Sequence, residues 1–172
     1  MVRSLEKGDA QGLLTFFRKL VEIDPERVER VSDAEKITLE QENNWLDNLI
    51  VKEEKGEVIA RVGIAGSEIV VEGEIHRLPR WIERHVAEIR FGMIPGNEQI
   101  TKELLKELLQ KAQNDQIEIL IYFHLRTQKT GIGIIKELGF EESGVIKDYY
   151  KRDGEYIDRI YLVKNLKSII RD

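Results

Sequence analysis

The chain has no cysteine and only three prolines and two methionines in 172 residues. Without thiols there are no disulfides, no thiolate nucleophile and no sulfur-ligated zinc. There is no Pro- or Ser-rich tract to act as a linker and no internal repeat, so one domain over residues 1–172 is expected. No apolar run approaches the ~20 residues that cross a bilayer. The opening MVRSLEKGDA is charged almost at once and lacks the apolar segment of a secretory leader. A soluble cytoplasmic protein without a membrane partner is the default expectation. Positive charge is also scarce, with 27 Lys and Arg against 32 Asp and Glu and a net charge of -5. Phosphate-backbone binding needs clustered Lys and Arg, so no nucleic-acid partner is expected.

What is present suits a packed globular chain. Hydrophobic residues make up 41%, enough for a core, and charged residues 34%, enough for a well-solvated surface. The abundance of Glu, Lys and Ile resembles thermophile usage. MVRSL reads as a first strand. Asp9 is placed to N-cap a helix whose apolar residues Leu13, Leu14, Phe16, Phe17, Leu20 and Val21 recur at helical spacing, and Asp24-Pro25 stops it. Residues 26–31 read as loop. Ser32 and Glu35 have capping-box spacing and predict a second helix reaching Leu49, with Ile37, Trp45, Leu46 and Leu49 on its apolar side.

From residue 50 the pattern turns to strands. The segment LIVKEEKGEVIARVGIAG predicts a hairpin around Glu54-Lys55-Gly56-Glu57. SEIVVEGEI predicts another strand, and the basic, aromatic HRLPRWIER a loop. HVAEIRFGMI alternates, with Ala87, Ile89, Phe91 and Met93 on one face and Glu88 and Arg90 on the other. A helix with the stripe Ile100, Leu104, Leu105, Leu108 and Ala112 follows Gly96-Asn97. QIEILIYFHL predicts a buried central strand, because its apolar residues occupy both faces. TGIGIIKELGF predicts a short helix closed by Gly139, and the chain ends in two strands joined by Arg152-Asp153-Gly154-Glu155. A strand–helix–strand unit among antiparallel strands implies an α/β chain of the α+β kind, with a mixed sheet and helices on both faces.

The stretch IRFGMIPGNEQITKELLKELLQKA is a strand, a tight turn and a helix start, the arrangement that binds phosphates through backbone N–H groups. Its turn has one Gly and Glu98, and no Lys or Arg. RTQKTGIG, residues 126–133, is basic and hydroxyl-rich and opens the next helix. It reads either as a second phosphate contact or as an ordinary solvated helix start.

The segment ELGFEESGVIKDYYKRDGEYIDRIYLVKNL resembles the ending of GNAT-superfamily N-acetyltransferases, through Leu138, Gly139, Phe140, Tyr156 and Asp158. RHVAEIRFGMIP is similar to the strand that precedes that family's coenzyme loop. VRSLEKGDAQGLLTFF and TLEQENNWLDNL are similar to its first two helical regions. The resemblance implies a GNAT-like fold, with a mixed, mostly antiparallel sheet of about seven strands. It also implies acetyl transfer from acetyl-coenzyme A to a primary amine of a small molecule or peptide. In this reading the strands near 86–94 and 117–125 splay apart around the pantetheine arm, and Phe91, Gly92 and Met93 bond it. Asn97, Glu98, Gln99, Ile100, Thr101 and Gln128 then line the rest of the coenzyme site. Pairing of final strands between two subunits, as a homodimer, belongs to the same resemblance.

The sequence departs from the family pattern in two places. The phosphate loop is about two residues short of a full cradle, and Glu98 adds a negative charge. Ile135 stands where the family often has a proton-donating Tyr. A module that keeps the fold without the coenzyme is therefore the alternative reading. The candidate proton carriers are Glu88, His124 and Tyr150. Each has a plainer role open to it: an ion pair of Glu88 with Arg84 or Arg90, a carbonyl partner for a half-buried His124, and packing for Tyr150. A charged face at Glu40, Glu42 and Asp47 attracts a cationic amine or is simply solvated.

Overall fold

The alternating segments pair into one seven-stranded mixed sheet in the computed structural model, which describes residues 1–167. The strands are β1 (Val2–Ser4), β2 (Val58–Ala65), β3 (Glu68–Arg77), β4 (Val86–Met93), β5 (Ile119–Leu125), β6 (Glu141–Arg152) and β7 (Glu155–Asn165), in the order β1-β2-β3-β4-β5-β7-β6. Every neighbouring pair is antiparallel except β4 and β5. The helices are α1 (Ala10–Ile23), the single turn α2 (Val31–Ala34), α3 (Leu39–Glu54), α4 (Glu98–Asn114) and α5 (Lys129–Glu137). The expected mixed sheet with helices on both faces is what forms.

Two glycines show how closely the two faces are covered. A Cβ on Gly73 of β3 would lie 2.7 Å from Leu104 Cδ2 of α4. A Cβ on Gly92 of β4, on the opposite face, would lie 2.6 Å from Leu20 Cδ2 of α1. Each glycine lets a helix approach the sheet backbone. The α4 stripe buries Leu104, Leu105, Leu108 and Ala112 completely, in one cluster with Val71, Ile75, Ile89, Leu120 and Leu162. Each of these Leu, Ile and Val side chains contributes about 1.5–3 kcal/mol of transfer free energy. A second cluster joins Leu13 of α1 and Leu46 and Leu49 of α3 to Val58, Ala60 and Val62 of β2.

Three local expectations are corrected. The hairpin around Gly56 does not form. Ile50 to Glu54 are the last turn of α3, and Gly56, at φ 68, closes that helix with the Glu57 N–H donating to the Lys52 carbonyl. The real β2–β3 turn is at Gly66, φ 62. A glycine after a charged run fits either role, and the continuing helical stripe through Leu46 and Leu49 decides for the helix. The second helix does not start at Ser32 either. Thr38 and Gln41 form a reciprocal capping box and start α3, leaving α2 as an isolated turn.

Asp9 precedes α1 but its side chain does not cap it. Its carboxylate instead takes two bonds from the Arg3 guanidinium (2.7 and 2.6 Å) and one from the Glu6 N–H (2.8 Å), tying β1 to the helix start. Those donors, Arg3 first, hold its pKa below the usual carboxylate value of 3.8. The depressed folded-state pKa means the contribution is present at neutral pH and fades as pH falls below about 4. Asp9→Asn is therefore expected to cost about 1–3 kcal/mol at pH 7 by urea unfolding, with the gap from wild type narrowing below about pH 4.

Candidate active site

β4 and β5 begin side by side and then part. Their parallel register holds for Val86↔Ile119, Ala87↔Leu120 and Glu88↔Ile121 and goes no further, although β4 runs to Met93 and β5 to Leu125. On the other side of β4 the Ile94 N–H bonds the Val70 carbonyl, and Val86 accepts from the Leu78 N–H. Antiparallel pairing alternates, so even-numbered β4 residues bond β3 and odd-numbered ones face β5. Beyond the point of parting, the N–H groups of Phe91 and Met93 therefore face β5 with no strand partner. Unpaired backbone donors at a sheet gap are the groups an extended polar ligand satisfies.

Two cavities meet at this gap. The smaller, about 220 Å³, lies between the ends of β4 and β5 and is bounded by Met93, Pro95, Glu98, Gln128, Thr130 and Gly131. The N-termini of α4 and α5 both border it, giving two sets of orphan N–H groups and two positive dipole ends. The larger, about 790 Å³, lies under α1 and α3, with Glu72, Glu74 and Arg90 on its floor. Leu20, Arg27, Phe91, Gly92, Tyr122 and His124 line both.

The loop after α1 roofs the junction and is held from three directions. Gln128 donates to Asp24 Oδ2 (2.8 Å), Thr127 to Glu26, and Arg152 to the carbonyls of Pro25 and Arg27. Arg27 reaches Glu29 through its Nε (3.0 Å), and its guanidinium charge is felt by Glu72, Tyr122 and His124.

The structure brings together some of the sequence candidates and not others. Phe91, Gly92 and His124 stand at the junction; Met93, Glu98 and Gln128 border the small cavity; Tyr150 lines the large one. Glu88 lines neither and pairs with Arg90 at 3.0 Å. Gln99 points to Glu103 (3.0 Å), Ile100 packs over Gly63, and the buried Thr101 hydroxyl donates to the Asn97 carbonyl (2.9 Å). Asn97 itself is turned to the Ile94 carbonyl. Glu98 folds back to accept from the Gly96 N–H (3.2 Å), so a carboxylate sits in the turn where an anion would otherwise go.

Ile135 is fully buried in the core and offers no proton. The phenol that reaches the slot comes from the facing strand. Tyr122 packs against Phe91 with centroids 5.7 Å apart, and a Cβ on Gly131 would be 3.0 Å from its hydroxyl. The missing Cβ at residue 131 is what lets that hydroxyl lie against α5. Burial, foremost, pushes its pKa above the usual tyrosine value, so the hydroxyl keeps its proton at neutral pH. The larger cavity holds what sequence reading missed: Glu72, Glu74 and His76, at period two on one face of β3, with His76 bonded to Glu74. That alternation in VEGEIH was the available signal, and it reads equally as a solvent face.

No family model matches the chain, and no curated protein matches it in sequence. Solved structures do. A GNAT-family acetyltransferase from Streptococcus pneumoniae superimposes with a TM-score of 0.85 at 18% identity, over 96% of this chain and 98% of that one. A ribosomal-protein-alanine N-acetyltransferase from Brucella melitensis gives 0.78 at 22% identity, over 96% and 99%. A GNAT-superfamily phosphinothricin acetyltransferase from Sinorhizobium meliloti, solved in complex with acetyl-coenzyme A, gives 0.80 at 15% identity, over 96% and 87%.

The chain has the GNAT acetyltransferase fold.

Within this GNAT scaffold His124 stacks on Tyr122, and its Nδ1 accepts from the Leu125 N–H (2.9 Å), which leaves the ring proton on Nε2. Burial, then the Arg27 charge, lowers its pKa from 6.5 to about 4. The unfolded chain therefore takes up the proton first, and His124 costs stability as pH falls from 6.5 toward 4. Its C2 proton resonance is expected to stay flat between about pH 5.5 and 8. An inflection near 6.5 would contradict this burial.

Proposed function

We propose that the protein is an N-acetyltransferase that moves an acetyl group from acetyl-coenzyme A to a primary amine. The observation that carries this reading is the parting of β4 and β5, which exposes the N–H groups of Phe91 and Met93 along a slot joining two cavities. The slot suits a long, thin ligand with amide groups, and the small cavity at its end has two helix N-termini for a phosphate group. Bound there, acetyl-coenzyme A supplies an acyl group activated as a thioester.

The rest falls to the chain's own residues. The Phe91 and Met93 N–H groups hold the extended arm. Thr130, Gly131 and the α4 N-terminus face the phosphates. The larger cavity takes the amine and brings it to the junction at Gly92, where proximity supplies much of the rate. The Tyr122 hydroxyl stands at that junction as the proton source for the departing sulfur, in place of the phenol that Ile135 cannot provide. Neutral His124, with its ring hydrogen on Nε2, lines the same space as a further donor.

Calorimetry and thermal melting with acetyl-coenzyme A test the reading. A ligand at 100 times its Kd stabilises the fold by about 2.7 kcal/mol, a shift of several degrees. No heat and no shift at millimolar ligand would favour a scaffold that lacks the coenzyme. Glu98→Gln removes the carboxylate from the phosphate turn and is expected to tighten binding about five-fold, the equivalent of ~1 kcal/mol of relieved repulsion. Tyr122→Phe keeps the packing and loses the hydroxyl. It is expected to lower kcat about 100-fold with the KM for acetyl-coenzyme A little changed, read by thiol release under saturating amine.

A further inference from the structure

The floor of the larger cavity carries more negative charge than the protein neutralises. Glu72 and Glu74 share one face of β3, opposite Gly92 and Arg90 of β4. Glu72 Oε1 is buried with no hydrogen-bond partner among the described residues. Glu42, from α3, lines the same space. Arg27 lines the same cavity and its charge reaches Glu72, but among the described residues no nearby guanidinium bonds any of the three carboxyls. Arg27 bonds Glu29, Arg90 bonds Glu88, and Arg159 lies over the rings of Phe123 and Tyr149, 3.6 and 4.6 Å from their centroids. Among the described residues the only basic side chain that bonds any of the three carboxyls is His76, on Glu74.

Burial and the neighbouring Glu74 charge push the Glu72 pKa well above the usual carboxylate range, and Arg27 only partly offsets this. Burial also raises Glu42. The unpartnered Glu72 Oε1 beside Glu74 is the group a bound cationic head would satisfy. The walls above them are apolar and aromatic, with Phe16, Phe17, Trp45 and Phe123. A volume of about 790 Å³ is that of a small-molecule site.

We propose that Glu72 and Glu74 form the ammonium-binding site for the acceptor, and that the acceptor is a small primary amine with an apolar body and no carboxylate of its own. This rests on the acetyltransferase reading above. Glu72 is the cross-strand partner of Gly92, so the carboxyl pair sits one strand over from the junction of the two cavities. An entering R–NH3⁺ gives one proton to the carboxylate pair and becomes the nucleophilic amine. Its nitrogen forms the bond to the acetyl carbon as the carbon–sulfur bond breaks. One of its two remaining protons ends on the sulfur by way of the Tyr122 hydroxyl, the amide keeps the other, and the carboxyl proton passes to solvent. A carboxylate on the acceptor would meet Glu42, Glu72 and Glu74 and be repelled.

The test is calorimetric titration of the full chain, without coenzyme, using 2-phenylethylamine, 2-phenylethanol and phenylalanine. The amine is expected to bind at least about ten-fold more tightly than either analogue, and Glu72→Gln or Glu74→Gln to abolish that margin. In turnover, Glu72→Gln is expected to lower kcat/KM for 2-phenylethylamine about 100-fold, while the melting shift caused by acetyl-coenzyme A is retained. Should Glu72→Gln fail to fold, Glu74→Gln and the wild-type comparison of the three ligands decide. Equal binding of amine, alcohol and amino acid, or unchanged amine binding in the variants, overturns the ammonium site. Faster acetylation of a peptide N-terminus than of 2-phenylethylamine overturns the acceptor class and leaves acetyl transfer standing. Amine binding without any acetyl-coenzyme A binding overturns acetyl transfer and leaves the ammonium site standing.

Discussion

Two parallel strands that pair for three residues and then separate set the terms for everything around them. A sheet that opens in its middle exposes backbone donors, and donors shut away from water without partners cost about 1–3 kcal/mol each. The fold tolerates the gap because α4 and α1 cover the sheet beside it from opposite sides, through the close approaches at Gly73 of β3 and Gly92 of β4. α4 buries four stripe residues completely, in the one cluster that also holds Ile89 of β4 and Leu120 of β5. β5 is held on its far side by β7 along its whole length. The opening is thus a rigid slot between well-packed walls, and rigid slots bind ligands without first ordering themselves.

The same logic separates the two faces of the sheet. The α4 side is largely apolar, and Gly73 admits Leu104 and Leu108. On the α1 and α3 side, Val58, Ala60 and Val62 of β2 meet Leu46 and Leu49. Further along, the face changes to Glu72, Glu74 and His76 beneath a void. Replacing such carboxyls with apolar residues would stabilise most scaffolds. A strand that keeps them under two helices bears a cost that structure alone does not require, which is what functional positions do.

Much of this architecture was legible in residue patterns. Period-two alternation located β4, and the helical stripe of α4 was complete in the sequence. The final hairpin followed from Asp153-Gly154, both at positive φ in the structure. The errors came where one signal serves two structures. Gly56 closes a helix as readily as it turns a hairpin, and the Thr38 capping box competed with the one at Ser32. The site was less legible, because it depends on which side of a strand the helices cover. Glu72 and Glu74 alternate as any solvent face does, and only the position of α1 and α3 turns that face inward. The phosphate turn was visible as altered, but that Glu98 folds onto the Gly96 N–H is a matter of geometry. The Tyr122 hydroxyl likewise becomes a candidate proton donor only once Gly131 is seen to lie against it.

The gap between β4 and β5 can be probed one amide at a time. Residue-resolved hydrogen exchange of β4, with and without acetyl-coenzyme A, reads the donors directly. Binding in the slot predicts slowed exchange at the Phe91 and Met93 N–H groups, while Gly92, already bonded to β3, changes little. Equal exchange at Phe91 and Met93 in both states, with saturating ligand present, would contradict the account.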